Sequence, residues 1–287
     1  MYRIASRKAL NPSMIQLEIE APLVARKAKP GQFIILRVDE EGERIPLTVA
    51  GTNPEKGLVK IIFQVVGATT EKLKWKQEGD FIQDFAGPLG MPTHTEGIGS
   101  VCVIGGGAGC AIAMPVAEEF HRLGAKVTSI IGFRNRDLLI LEEEFASFSD
   151  ELIVMTDDGS YGRQGNVTVP LKEKLEAGEH FDMIITIGPL IMMKFVTLAA
   201  KPYGVPVTVS MNPIMIDGTG MCGGCRITLV REDGSRVTRF ACVDGPDFNG
   251  YEIDFDEAMS RGRMYAAFER HAYEEACNLF AGREGGR

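Results

Sequence analysis

Residues 15–20 alternate apolar and polar without a break, Ile-Gln-Leu-Glu-Ile-Glu, the pattern of a strand with one buried face. Residues 32–38 and 58–66 are apolar runs bounded by glycine and read as further strands. Arg44 to Thr48 lies on another. Short strands at this spacing, separated by turn signals, predict a barrel or a sandwich over the first 97 residues. A helix is predicted from Thr70 through Trp75. The character changes after Gly90-Met91-Pro92. The short apolar run at 101–104 and the strands read at 127–132, 151–156 and 183–188 then alternate with helical stretches, the first of them at 111–123, which predicts a parallel α/β sheet. From 208 to 250 the chain is rich in glycine and cysteine. Residues 256–280 read as one helix, and 283–287 as a frayed tail. The pattern divides the chain at 1–97, 98–207, 208–250 and 251–287, with no internal repeat.

A length of 287 residues suits about two domains, and 45% hydrophobic with 24% charged residues is ordinary globular composition. The net charge of -8 and pI near 5.2 argue against nucleic acid or an anionic membrane as partner. The amino terminus starts like a strand, and no window approaches the roughly 18 apolar residues of a membrane span. A cytoplasmic protein is expected. Six cysteines are too few for a disulfide scaffold, and in a reducing compartment a cluster of them reads as metal binding.

Three of the six, Cys222, Cys225 and Cys242, sit in such a cluster. Asp217 precedes Cys222 by four intervening residues, two more separate Cys222 from Cys225, and sixteen separate Cys225 from Cys242. This is the plant-type [2Fe–2S] spacing, C-x4-C-x2-C and a distant fourth cysteine, with Asp217 in the first place. Glycines around it would let backbone N–H groups turn toward sulfur. A structural zinc on the same three thiolates plus a carboxylate is the rival reading.

The loop Gly105-Gly106-Gly107-Ala108-Gly109 follows an apolar strand and opens a helix, the setting in which backbone N–H groups hold a dinucleotide pyrophosphate. It departs from G-x-G-x-x-G, because Cys110 stands where the third glycine would be. A tight turn that binds nothing is the bland alternative. Gly67-Ala68-Thr69-Thr70 offers small residues and a hydroxyl cap at a helix start, where a second pyrophosphate would sit well. Glu142-Glu143-Glu144 reads as a solvated face, and Met192-Met193 as the start of a packed helix. His94, His121, His180 and His271 have no metal-like spacing.

Taken together, these stretches resemble the ferredoxin-reductase-like electron-transfer flavoproteins over nearly the whole chain. The resemblance implies a β-barrel FAD domain, an α/β Rossmann-like NAD-binding domain and a C-terminal [2Fe–2S] segment. It places Arg44, Pro46, Leu47 and Thr48 at the flavin, with Thr48 bonding its ring, and Gly67, Thr69 and Thr70 by the FAD pyrophosphate. Gly105, Gly106, Gly107, Gly109, Asp157, Asp158 and Gly188 become NAD(H)-binding residues, and Asp217, Cys222, Cys225 and Cys242 the cluster ligands. Hydride transfer needs no acid or base, so no catalytic side chain is named. Within the family the likeness is to electron-transfer subunits of dihydroorotate dehydrogenase, to sulfide dehydrogenase, and to small subunits of NADH-dependent ferredoxin:NADP oxidoreductases. The dihydroorotate type is expected to carry four cysteines, whereas an aspartate ligand matches the last group. That match implies a larger partner subunit with its own FAD, [4Fe–4S] clusters and NADP site, and ferredoxin reached through it. A zinc-stabilised nucleotide-binding regulator is the alternative of a different class.

Overall fold

The computed structural model describes residues 1–284. The first strands and helices are β1 (Tyr2–Asn11), β2 (Met14–Glu20), α1 (Pro22–Ala25), β3 (Phe33–Arg37), β4 (Arg44–Asn53), β5 (Leu58–Gln64), α2 (Ala68–Lys74), β6 (Phe81–Ile82) and β7 (Asp84–Leu89). The strands form one antiparallel sheet in the order β6-β1-β2-β5-β4-β3-β7. Its two outer strands are separated in sequence by Gln83 alone, so the sheet curls into a nearly closed barrel, not a sandwich. The alternation read at 15–20 does what period two requires: Leu17 and Ile19 point inward and are fully buried, with Ile4, Ile34, Leu36 and Ile61. Helix α2 starts two residues earlier than expected, because Gly67, not a threonine, occupies the cap position.

The next elements are β8 (Ser100–Gly106), α3 (Cys110–Arg122), β9 (Lys126–Phe133), α4 (Glu142–Phe148), β10 (Glu151–Thr156), β11 (Arg163–Gln164), α5 (Thr168–Glu176), β12 (Met183–Ile187), α6 (Leu190–Ala200) and β13 (Val207–Ser210). Their sheet runs β11-β10-β9-β8-β12-β13, parallel throughout, and a later strand, β16 (Asp247–Asn249), adds antiparallel beside β13. Helices cover both faces, which is why β8 and β12 are mostly apolar and bury nearly every residue.

Between the two outermost strands the chain makes an excursion. It carries the hairpin β14 (Arg226–Val230) and β15 (Arg236–Phe240), then α7 (Ala241–Asp244), before β16 (Asp247–Asn249) returns antiparallel to β13. The expected single terminal helix is two, α8 (Phe255–Gly262) and α9 (Ala266–Glu284), because the first is capped at Arg263 after Gly262. Helix α9 lies against α2 of the barrel. Residues 285–287 of the expected tail fall outside the described residues.

One joint ties the excursion to the barrel. Met91 N–H donates to the Gly245 carbonyl at 2.6 Å, and the Thr93 hydroxyl donates to Asp247 at 2.6 Å. Burial pushes the Asp247 carboxyl above its ordinary range, with the Thr93 and Ser210 hydroxyls opposing in part. Thr93→Val should lower stability by about 1–3 kcal/mol, the cost of leaving a buried acceptor without its donor. Because the folded value is raised, the native state holds its proton longer than the unfolded chain. Asp247 therefore contributes a loss of stability as pH rises from the ordinary carboxylate range through its folded value. Thermal denaturation across that range should show this slope in the native protein and a flatter profile in Asp247→Asn.

Candidate functional site

Strand β4 changes partner midway. Arg44 to Thr48 pair with Arg37 to Phe33 of β3, but pairing with β5 begins at Val49 opposite Ile61. The other edge of Arg44-Ile45-Pro46-Leu47-Thr48 is therefore open, which explains how a proline is tolerated in an inner strand. Backbone groups on that edge are free for a bound molecule. The start of α2 stands beside it, since Thr69 donates to Glu43 at 3.5 Å. Thr70 caps from inside the helix: its hydroxyl accepts from Gly67 N–H at 3.0 Å and Val66 N–H at 3.1 Å, and donates to the Gly67 carbonyl. Its part is to shape the turn. Space above Gly67 is open.

In the parallel sheet, β8 has β9 on one side and β12 on the other, so consecutive connections leave β8 in opposite directions. The crevice at the carboxyl ends of β8 and β12 is the switch point at which such sheets bind ligands. Gly105 and Gly106 end β8, and Gly107 and Gly109 form the turn into α3. A Cβ on Gly109 would stand 2.3 Å from the Ile187 carbonyl oxygen and 2.7 Å from Gly188 Cα. This glycine lets the two turns meet backbone to backbone. Met192 lies over Gly106, a neighbour that the sequence reading left as plain packing. Asp157 and Asp158 follow β10, two strands from β8, whereas Arg134 follows β9, the adjacent strand. Asp158 accepts the Ser160 N–H, and those contacts hold its carboxyl below the usual range. Ser160 in turn accepts the Arg136 N–H, tying the two loops together.

The cysteine loop gathers all four predicted donors as two pairs. Cys222 Sγ lies 3.3 Å from Asp217 Oδ1, and Cys225 Sγ lies 3.1 Å from Cys242 Sγ. The second spacing is well beyond a disulfide bond, and all six cysteines are free. Asp217 accepts from Thr219 N–H, Met221 N–H and Cys222 N–H at 3.1–3.2 Å and from the Thr219 hydroxyl at 3.0 Å. Desolvation works against its ionised form, but the Cys222 thiol and these donors win and hold it at about 2. A carboxylate ionised at neutral pH is what ligation requires. Gly224 N–H points at Cys222 Sγ from 3.4 Å. Cys225 and Cys242 are each 1% exposed, and burial first, then the Cys225 thiol, pushes Cys242 up to about 12. Among the described residues no three acidic, histidine or cysteine side chains converge on a single point, as a one-metal site would need. Two pairs of donors, three of them sulfur, fit a two-iron cluster, in which each iron takes two protein ligands.

Two features escaped the sequence reading. Gly218, at a φ of 74°, packs against Leu89 of β7 and Ile35 of β3 so closely that a Cβ would lie 2.7 and 3.0 Å from them. Ile35 is paired with Pro46, so the loop sits one strand from the open edge of β4. Arg261 of α8 donates to the Gly224 carbonyl at 3.3 Å. Neither position carries a motif; only the folded chain brings them to the loop.

A barrel with an open strand edge, a doubly wound sheet with a glycine turn and a cysteine loop between them define a ferredoxin-reductase-like redox protein. Residues 212–254 match the iron–sulfur cluster binding domain of dihydroorotate dehydrogenase B. A Thermotoga maritima homologue of the dihydroorotate dehydrogenase B (NAD(+)) electron transfer subunit is 49% identical, over 96% of this chain and 95% of its own. A probable subunit of that enzyme from Methanocaldococcus jannaschii is 39% identical over 85% and 88%. The chain belongs to this family of electron-transfer subunits and their homologues. It is also similar, at 45% identity and a TM-score of 0.88, to a chain in a solved structure of an NADH-dependent reduced ferredoxin-NADP oxidoreductase, covering 96% of this chain and 97% of that one. A ferredoxin reductase of carbazole 1,9a-dioxygenase shares the fold at 19% identity and a TM-score of 0.60.

The two donor pairs differ in exposure, and alkylation of the metal-free protein should report it. Cys222 is exposed, while Cys225 and Cys242 are buried. At about pH 8 iodoacetamide should label Cys222 well before the other two, because only thiolate reacts and Cys242 stays a thiol. Equal labelling rates by peptide mapping would contradict this arrangement.

Proposed function

We propose that this chain moves electrons between NAD(H), FAD and a [2Fe–2S] cluster, as the small subunit of a ferredoxin-dependent NADH:NADP transhydrogenase. The observation that carries this reading is the cysteine loop, with two donor pairs, seated by Gly218 on Ile35 next to the flavin strand. Likeness to the NADH-dependent reduced ferredoxin-NADP oxidoreductase supports it. We assign 1–97 to flavin, 98–207 to NAD(H), 208–250 to the cluster, and 251–287 to a helical tail.

Bound between the two sites, FAD would supply the conversion of two-electron hydride chemistry with NADH into the one-electron chemistry of a [2Fe–2S] cluster. The chain's residues bind and orient. The open edge of Arg44 to Thr48 offers backbone groups and the Thr48 hydroxyl to the flavin ring, with Arg44 offsetting charge. Gly67, Thr69 and Thr70 shape the turn for the FAD pyrophosphate. Gly105, Gly106, Gly107, Gly109 and Gly188 form the crevice for the nicotinamide dinucleotide, with Asp157 and Asp158 at its far edge. Asp217, Cys222, Cys225 and Cys242 hold the cluster. No side chain need move a proton.

Asp217 favours the transhydrogenase over the dihydroorotate-oxidising subunits. The second reading rests on the matched cluster-binding domain and the names of the relatives. In either, electrons leave through a larger subunit, here one with its own FAD, [4Fe–4S] clusters and NADP site, and ferredoxin is met through it. The loop offers a docking face, with Met221 88% exposed, Ile216 55% and Val243 41%. No helix among the described residues is long and apolar enough to cross a membrane. We place the complex in the cytoplasm.

The purified chain should show flavin and [2Fe–2S] absorption bands with iron and without zinc. Zinc and no visible bands would make it the zinc-stabilised regulator. Asp217→Cys should keep a cluster at an altered potential, Asp217→Ala should lose it or leave it labile, and Cys222→Ala should abolish it. A native spectrum and potential in Asp217→Ala would remove Asp217 from the ligand set. Alone, the chain should reduce dyes with NADH but not couple NADPH oxidation to ferredoxin; the larger subunit should restore coupling. Restoration instead by a dihydroorotate-oxidising partner would select the second reading.

NADH should reduce the flavin faster than NADPH at equal subsaturating concentrations, because Asp157 and Asp158 accept from ribose hydroxyls and repel a 2′-phosphate. Arg134 and Arg136, in the neighbouring loop after β9, weigh the other way by their charge. A faster reaction with NADPH would hand the selection to those arginines.

A further inference from the structure

We propose that Arg261 raises the reduction potential of the cluster, through its charge, an inference that rests on the reading of Asp217, Cys222, Cys225 and Cys242 as [2Fe–2S] ligands. Helix α8 is fixed at its start by Asp254, whose carboxylate accepts the Glu257 N–H at 2.9 Å. Arg261 lies in its last turn, and the partly buried guanidinium donates from Nη2 to the Gly224 carbonyl at 3.3 Å. Gly224 stands between two ligands, and its N–H is directed at Cys222 Sγ from 3.4 Å. One residue therefore separates the cation from the sulfur, which bounds their distance at about 10 Å.

Three cations on the neighbouring elements are held in ion pairs. Arg231 is paired with Glu252, Arg236 with Asp254 and Glu257, and Lys194 with Asp256, all at 2.6–2.8 Å. Arg261 forms no ion pair among the described residues. Its side-chain hydrogen bond is to the cluster loop.

Reduction places one electron on the cluster and adds one negative charge, with no bond made or broken. A fixed cation stabilises the reduced form more than the oxidised one and so draws the potential upward. At an effective dielectric constant near 20 and this separation, Coulomb's law allows at least about tenfold in the one-electron equilibrium constant. That is about 59 mV for a single electron. The sequence alone gave Arg261 no such part, since it lies 36 residues beyond Cys225 on a helix with no motif.

The test is a redox titration of the flavin-loaded chain with dithionite and mediator dyes, read by the electron paramagnetic resonance of the reduced cluster. Iron and sulfide are counted in each variant. Arg261→Gln keeps an N–H donor for Gly224 and loses the charge; Arg261→Lys keeps the charge. The midpoint should fall in Arg261→Gln by about the tenfold equivalent at low salt and stay close to native in Arg261→Lys, with the difference shrinking at high salt. Should Arg261→Gln fail to hold a cluster, Arg261→Met replaces it in the same comparison. A native midpoint in the neutral variant, or an equal fall in Arg261→Lys, overturns the proposal. A native chain without iron and sulfide overturns the cluster assignment itself, and this inference with it.

Discussion

Ile35 is the side chain on which the arrangement depends. Its backbone pairs with Pro46 on one side and Ala86 on the other, so it belongs to the barrel. Its side chain lies under Gly218, and it is 3% exposed in a core that also contains Cys225, Ile227 and Cys242. Barrel, cysteine loop and parallel sheet thus share one apolar interior. Close packing resists small displacements, because losing even a methylene's worth of contact is costly. An electron carrier needs its groups held at constant spacing, and an apolar contact of this kind holds it without any bond that reduction would disturb.

The parallel sheet contributes a second fixed spacing. Gly109 meets Ile187 and Gly188 without a side chain between them, so the two turns that line the crevice cannot drift apart independently. The barrel contributes a gap. Strand β4 pairs with β3 up to Thr48 and with β5 only from Val49, and the stretch left open toward β5 is the one that the family pattern marks for flavin. A strand edge left open in the middle of a sheet is a cost in hydrogen bonds that a bound ring can offset.

Much of this was legible in the sequence, and the reasons are local. Period-two alternation at 15–20 and the mostly apolar stretches at 101–104 and 183–188 specify strands by burial alone. The spacing of Asp217, Cys222 and Cys225 is a short loop, so the chain itself brings those donors together. Cys242 joins them because β14 and β15 form a hairpin that returns the chain, pairing Arg226 with Phe240. What the sequence could not show depends on distant segments. The seat of Gly218 on Ile35 and Leu89, the Thr93–Asp247 bond and the reach of Arg261 to Gly224 each join residues far apart in the chain. Thr70 was read as a cap at a helix start and caps instead from the third helical position, a distinction of backbone geometry that composition does not encode.

The excursion that carries the cysteines leaves the parallel sheet after Ser210 and re-enters at Asp247, and those two residues are partners across β13 and β16. Partners in an antiparallel pair are about 5 Å apart, the span that a two-residue hairpin turn closes. The doubly wound sheet therefore keeps its strand order whether the intervening chain is long or short. The cysteine loop is in this sense a graft on an edge hairpin: a change in its length leaves the glycine-lined crevice between β8 and β12 as it is.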